Sequence, residues 1–404
     1  MSNVLVNIWH KLLDSKNNVF LNPCAMVVQM TPTFRTKSPA SLLVQFAEAG
    51  LSGDHQKLEL LALTAVRSLK RTDPGQADEL ASLLSRFTVN SASLRWRNAP
   101  PPPEDADAGL ALLRIPSTDQ AQEPELEPHV RGTILRFLAE RRECASLIAE
   151  GIAPPRTLLL KGAPGTGKTM LACWMAKELE IPLVVLDLAT SISSYLGKTG
   201  ANLRRSLDYA RATPCLLLLD EFDSIAKRRD DASDVGELKR IVNVLLKELE
   251  EWPLHSVLVA ATNHPEMLDP AIQRRFDVVA HLPLPGQTER LAILGRSLGR
   301  HAESLPGGFV DAMAAVLTGL SGSDVTTLSQ GALRRHLVGK IPLAQCLAET
   351  LESQCSEGMP KAIYGNLVRS LKNESRMTVR KIAEILGKGS STIQYHLKKE
   401  KANA

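Results

Sequence analysis

Apolar positions along this chain recur at two spacings. From Ser41 onward the spacing is helical: Leu58, Leu61, Ala62, Ala65 and Leu69 fall at i, i+3, i+4, i+7 and i+11. Asp73-Pro74-Gly75 interrupts them as a turn. Leu80, Leu83, Leu84 and Phe87 then resume the helical spacing, which predicts a small antiparallel helical domain. Ahead of it, residues 1–35 show no clear period; Val4, Leu5, Val6 and Ile8 fit a short strand or the start of a helix equally. Residues 134–148 are helical again. The pattern then changes to continuous apolar runs at 157–160, 183–188, 215–219, 257–261 and 278–282, separated by helical stretches. Short apolar runs alternating with helices predict a parallel sheet covered on both faces. After Pro285 the runs stop and helical spacing continues to the end, with no internal repeat of 20–50 residues.

Prolines divide these regions. Pro100-Pro101-Pro102-Pro103, followed by Glu-Asp-Ala-Asp, reads as a semi-rigid extended spacer. A second Pro/Glu-rich stretch runs over 122–128. The expected layout is a helical N-terminal domain over 1–97 and a Pro/acidic linker over 98–128. An α/β core follows over 129–285, a helical lid and extension over 286–370, and a basic tail over 371–404.

Composition narrows the classes. The chain has 404 residues, 44% hydrophobic and 23% charged, which is ordinary globular composition with ample material for a core. No uninterrupted apolar run approaches membrane-spanning length, and Met1-Ser2-Asn3-Val4 does not open a secretory signal. The six cysteines form no Cys-x-x-Cys pair, so a structural zinc site is not indicated and a reducing cytoplasm is expected. Aromatics are sparse, which argues against a platform for stacking single-stranded bases.

Candidate chemistry is concentrated in the α/β region. Gly162-Ala163-Pro164-Gly165-Thr166-Gly167-Lys168-Thr169 follows one apolar run and opens a helical stretch. That is the context a phosphate-cradling P-loop requires. Glycines let backbone N–H groups face phosphate oxygens, Lys168 can reach the β and γ phosphates, and the Thr169 hydroxyl can sit on Mg²⁺. Leu216-Leu217-Leu218-Leu219-Asp220-Glu221 delivers two carboxylates at the C-terminal end of a buried strand. Asp220 is expected in the Mg²⁺ shell, and Glu221 is expected to orient and deprotonate the attacking water. Phe222-Asp223 continue the motif.

Together these two motifs resemble the AAA+ ATPase family, a P-loop three-layer parallel-sheet ATPase core with a helical lid. The resemblance implies ATP and Mg²⁺ as cofactors. Residues 257–263 look like the family's sensor strand, which makes Asn263 a water-positioning residue. Residues 268–277 resemble the segment that supplies arginine fingers, here Arg274 and Arg275, acting on a neighbouring subunit. Gly319-Leu320-Ser321-Gly322-Ser323-Asp324 is similar to the lid motif of the classical AAA branch, and Gly322-Ser323 stand where other branches carry a lid arginine. The resemblance spans about residues 145–333. It also implies a pore loop at Tyr195-Leu196-Gly197 that grips a polypeptide, although Lys198-Thr199 replace the acidic residues common there. A Tyr–Leu pair packed under a loop is the other reading.

The formal net charge of +4 is not evenly spread. Residues 376–404 hold seven basic and two acidic residues, whereas the rest of the chain holds 41 and 42. Within this tail, residues 376–387 form an amphipathic helical pattern ending in Gly387. Ser391-Thr392-Ile393-Gln394 reads as a capping box opening a second helix. The pair resembles a helix-turn-helix, with Lys388-Gly389 in place of the usual apolar-Ser pair and therefore a looser turn expected. Ser391, Thr392, Gln394 and Tyr395 are candidate base contacts. Lys398, with Arg380, Lys381 and Lys399, is a candidate phosphate contact.

These elements support an ATP-hydrolysing ring, a hexamer by resemblance, that remodels or threads an unidentified protein client in a bacterial or phage-related setting. The competing reading is a DNA-bound, ATP-dependent switch in replication, transposition or transcription. A sigma-54-type activator is disfavoured because no Gly-Ala-Phe-Thr-Gly-Ala loop is present. A non-hydrolysing scaffold is disfavoured because every hydrolytic position is filled.

Overall fold

The computed structural model describes residues 39–52, 55–88, 102–103, 112–188, 199–224, 245, 247–356, 362–373 and 376–398. The five apolar runs form strands β1 (Thr157–Lys161), β2 (Leu183–Asp187), β3 (Leu216–Asp220), β4 (Val257–Thr262) and β5 (Val278–His281). They build one five-stranded sheet in the order β2-β3-β4-β1-β5, with every neighbouring pair parallel. Successive residues of a strand face opposite sides, and here both sides are buried. Leu159, Val184, Leu217, Leu219, Leu258 and Ala260 pack with Leu203, Leu207, Trp252 and Phe276 on one face. Leu158, Leu160, Leu183, Leu218, Val257 and Val259 pack with Ile134, Phe137, Leu171 and Met175 on the other. The result is the expected three-layer α/β core.

The helical stretch expected over 134–148 is two helices, α4 (Pro128–Arg142) and α5 (Cys144–Ala149). The break at Glu143 serves two cores. Ile134 and Phe137 of α4 face the sheet, whereas Cys144 and Ile148 of α5 turn to the N-terminal helices. Those helices are α1 (Pro39–Ser52), α2 (His55–Thr72) and α3 (Pro74–Thr88). Between α2 and α3, the Asp73 carboxylate accepts from Gln76 N at 3.2 Å, with Pro74 at the first helical position. Ala62, Leu63 and Val66 of α2 and Ala81 and Leu84 of α3 close on Cys144, Ile148 and Leu254. Polar contacts fix the seat: Lys70 Nζ donates to Ala149 O at 3.0 Å, Arg67 Nε to Gly151 O, and Leu254 N to a Glu59 carboxylate oxygen at 3.1 Å. Gly151 and Leu254 precede β1 and β4, so this hairpin sits at the N-terminal ends of the strands, away from their chemical ends.

Residues 112–128, within the stretch expected as linker, lie against the core. Arg114 exchanges both backbone hydrogen bonds with Val185 of the edge strand β2, at 3.0 and 2.7 Å, and Leu113 is buried. Farther along, Ala121 O accepts from Lys177 Nζ at 2.9 Å, and Glu125 pairs with Arg296.

In the core, α6 (Lys168–Glu178) follows β1, α7 (Thr199–Ala212) lies between β2 and β3, and α8 (Pro270–Gln273) lies between β4 and β5; after Pro285 come the lid helices α9 (Gln287–Leu298), α10 (Phe309–Val316), α11 (Gly322–Gly339), α12 (Leu343–Ser356) and α13 (Ala362–Asn373). Two further helices, α14 (Val379–Leu386) and α15 (Ser390–Lys398), end the described chain. One hydrophobic cluster runs without a break from Leu294 and Leu298 of α9 through Leu328, Leu347 and Leu367 to Ile382, Leu386 and Ile393. The turn between α14 and α15 is tight rather than loose. Gly387 is left-handed at φ 63°, Lys388 N donates to Ala383 O at 3.0 Å, and the Lys388 ammonium meets Glu352 of α12 at 3.0 Å. The capping box expected at Ser391 is displaced. Thr392 N and Ile393 N both donate to Gly389 O, so the helix already begins at Ser390 and Ser391 lies inside its first turn. No described helix is long and apolar enough to cross a membrane.

Candidate active site

The strand order places the candidate groups. β4 lies between β1 and β3, so the loop after β4 separates the P-loop from the Asp220–Glu221 pair. All three loops leave the C-terminal edge of the sheet, where ligands of open α/β sheets bind.

The P-loop runs from β1 into α6. Gly162 N donates to Thr262 O at 3.3 Å, which ties the loop's start to the end of β4. Gly165 is left-handed at φ 75°, and its carbonyl accepts from Ser323 N of α11 at 3.1 Å. A Cβ at Gly165 would run into the Ser321 hydroxyl, so only glycine fits between loop and lid. Pro164 is exposed, Thr166 Oγ1 donates to Ala163 O at 2.9 Å, and Gly167 occupies the N-cap of α6. Lys168 is buried at the base. Its ammonium donates to Gly162 O and Ala163 O at 2.8 and 2.9 Å. Burial lowers its pKa, and the charges of Asp220 and Asp223 oppose that fall.

Thr169 Oγ1 donates to Asp220 Oδ2 at 3.1 Å. A hydroxyl and a carboxylate thus meet beside the lysine. Two hard oxygen donors with an open side match Mg²⁺, which takes its other ligands from phosphate and water. Glu221 has a positive φ of 52°, rare for a residue with a side chain, and its N–H donates to Asp220 Oδ1 at 3.0 Å. Asn263 leaves the end of β4 partly exposed, and its N–H donates to Asp223 Oδ1 at 3.1 Å. The same oxygen accepts from the buried Thr262 hydroxyl at 3.1 Å.

The structure therefore brings Lys168, Thr169 and Asp220 together, with Glu221 and Asn263 on adjoining loops. Arg274 is exposed, and Arg275 pairs with Glu250. Tyr195, Leu196 and Gly197 lie outside the described residues. Ser391, Thr392, Gln394, Tyr395 and Lys398 are all exposed on α15, around the buried Ile393.

Two features escape a reading of the sequence. Asp223 is a buried carboxylate linking the β3 loop to the end of β4. The second is a cleft beside the P-loop. Its walls come from Leu126 and Val130 before and within α4, Thr166, Leu282 and Pro283 of the core, and Ile293 and Gly322 of the lid. Its parts are scattered over nearly two hundred residues, so no local pattern announces it.

Comparison with known proteins agrees with this geometry. Residues 158–284 match the family model described as "ATPase family associated with various cellular activities (AAA)". An uncharacterized AAA family ATPase, y4kL, of Sinorhizobium fredii is 35% identical over 265 residues, which is 63% of this chain and 77% of that one. ATP-dependent zinc metalloprotease FtsH 3 of Sphaerobacter thermophilus is 39% identical over 226 residues, 54% of this chain and 45% of its own length. FtsH of Acidothermus cellulolyticus is 37% identical over 186 residues, 44% of this chain and 28% of its own. The chain spans less than half of either metalloprotease. With its P-loop, its acidic strand end and these relatives, the chain belongs to the classical branch of the AAA+ ATPases and is an ATP-hydrolysing enzyme that uses Mg²⁺.

Proposed function

We propose that this ATPase works as a ring, a hexamer, that remodels or threads a protein client in a bacterial cytoplasm. The observation that carries this reading is the placement of Arg274. It is exposed on the segment after α8, while Lys168, Thr169 and Asp220 close on one another. Its exposure supports a finger that serves a neighbour's site, where a guanidinium stabilises charge spread over the γ-phosphoryl oxygens. The cleft between core and lid takes the adenine base, with Leu126, Val130 and Ile293 as its apolar walls. Lys168 faces the β and γ phosphates, and Thr169 and Asp220 hold Mg²⁺. When bound there, Mg²⁺ would supply neutralisation of the phosphate charge. Glu221 takes the proton of the attacking water, and Asn263 orients that water. Tyr195, Leu196 and Gly197 form the loop that grips the client.

Specific ATPase activity measured against protein concentration tests the ring. It should fall on dilution as subunits separate, and activity constant down to the monomer would refute a finger acting between subunits. Glu221→Gln should bind ATP, hydrolyse it poorly and retain clients in a pull-down. Tyr195→Ala should keep ATPase while losing remodelling of the retained client.

A second reading is favoured by α15. Its exposed Ser391, Thr392, Gln394, Tyr395 and Lys398 suit a helix that enters a DNA groove, with Arg376 and Arg380 also exposed nearby. Here the enzyme is a DNA-bound, ATP-dependent switch, or a ring localised by DNA. Duplex affinity should fall steeply with salt. Lys398→Ala should weaken binding across all sequences, and Gln394→Ala should relax preference at one base.

A further inference from the structure

We infer that duplex DNA bound at α15 and nucleotide bound at the P-loop are energetically coupled through the lid, so that each changes the affinity for the other. This rests on the reading of α15 as a DNA-contacting helix. What lies beneath that surface carries the inference.

A recognition helix on a flexible tether would sense nothing of the ATPase site. Here both helices of the described tail are packed into the lid. Ile382, Leu386 and Ile393 are fully buried in the same apolar cluster as Leu328 of α11, Leu347 of α12 and Leu367 of α13. The Gly387 turn lies flat on Gln345 of α12: a Cβ there would come within 2.6 Å of the Gln345 side chain. Lys388 is tied to Glu352 on the same helix. Protein interiors packed this way move as one body, so α15 goes wherever the lid goes.

The other end of that body touches the phosphate loop. Ser321 caps α11 in a capping box with Asp324, and the N–H of Ser323 in the same first turn donates to Gly165 O. Ile293 and Gly322 of the lid form one wall of the cleft, and Leu126, Val130 and Leu282 of the core form another. A nucleotide seated between two bodies selects the angle at which they meet. The lid's own anchor is firm: buried Arg290 of α9 donates to Pro285 O and Ala314 O, both at 2.7 Å. Angular change therefore falls on Leu282–Pro285 and reaches α15 undiminished. In an assembly, several copies of α15 meet one duplex. The second contact forms at an effective concentration set by their spacing, and that spacing follows the lid angle.

The ligand chemistry is a phosphate backbone. Arg376, Arg380 and Lys398 are exposed on this end of the lid, and residues 376–404 carry five net positive charges.

The test uses the full-length chain and a fluorescent mixed-sequence duplex, titrated by anisotropy at fixed salt with ADP, with ATPγS and without nucleotide. Duplex affinity should differ by at least about fivefold between nucleotide states, and saturating duplex should shift ATPγS affinity by the same factor. Arg380→Ala with Lys398→Ala should weaken duplex binding and remove the shift in ATPγS affinity. Equal duplex affinities in all three states would overturn the coupling and leave the DNA reading standing. Absence of duplex binding in every state at low salt would overturn the DNA reading itself, and α15 would then be a surface for a protein partner.

Discussion

Glu221 holds a left-handed backbone that glycine would adopt freely. Such a conformation at the residue proposed to act on water is strain kept for position. Glu221→Gly relieves about 1–2 kcal/mol of left-handed strain against about 0.5–1 kcal/mol of glycine's extra chain entropy, so unfolding stability should rise by up to about 1 kcal/mol while hydrolysis is lost. Urea unfolding alongside an ATPase assay checks both, and a destabilised variant would contradict the strain argument. Asp223 works one loop away. Asp223→Ala leaves the Thr262 hydroxyl and the Asn263 N–H without their buried acceptor, at a cost of about 1–3 kcal/mol. Its kcat should fall much more than its KM changes, because Asn263 loses its register while the phosphate loop remains. Asp223→Asn, which keeps one acceptor oxygen, should recover part of that loss. The sequence shows Asp223 only as the continuation of an acidic motif. Its partners come from β4, forty positions on, and no local spacing reveals them.

At the scale of elements, the five strands were legible to within a residue. A strand buried on both faces reads as an unbroken apolar run, and Leu216-Leu217-Leu218-Leu219 is the plainest case. The tail was legible only in part. An amphipathic pattern says that Ile382, Leu386 and Ile393 are buried; it does not say against what, and here the partner is the lid. Truncation before Arg376 therefore does more than remove a basic surface. It uncovers the lid core, at about 1.5–3 kcal/mol for each large apolar side chain withdrawn. The shortened protein should melt earlier and lose ATPase activity, as scanning calorimetry and a coupled assay would show. Gly387→Val should act in the same direction through its positive φ and the Gln345 contact. Exposed substitutions on α15 should leave the melting temperature unchanged, which makes them the sounder probes of binding.

At the scale of the whole molecule, the proposed completion of each site by a neighbour's Arg274 predicts complementation. Lys168→Ala cannot hold nucleotide productively but keeps Arg274 and Arg275. Arg274→Ala holds nucleotide but offers a defective finger. Each should be nearly inactive alone, and mixing them should restore a fraction of the wild-type rate. No recovery on mixing would mean that the arginine serves its own subunit. The cleft beside the P-loop was not legible from the sequence for a related reason: Leu126, Thr166, Ile293 and Gly322 meet only once the sheet has closed and the lid has folded over it.

The stretch from Leu113 to Leu126 has a mechanical meaning. It is stitched to the edge strand by Arg114, crosses α6 at Ala121, and reaches the lid through Glu125 and Arg296. A load applied from the N-terminal side would be carried along this leash to the rim of the cleft beside the P-loop. Cutting the leash near Asp119 would separate the Arg114 end from this path, while the Glu125–Arg296 tie, held to the sheet through α4, would remain.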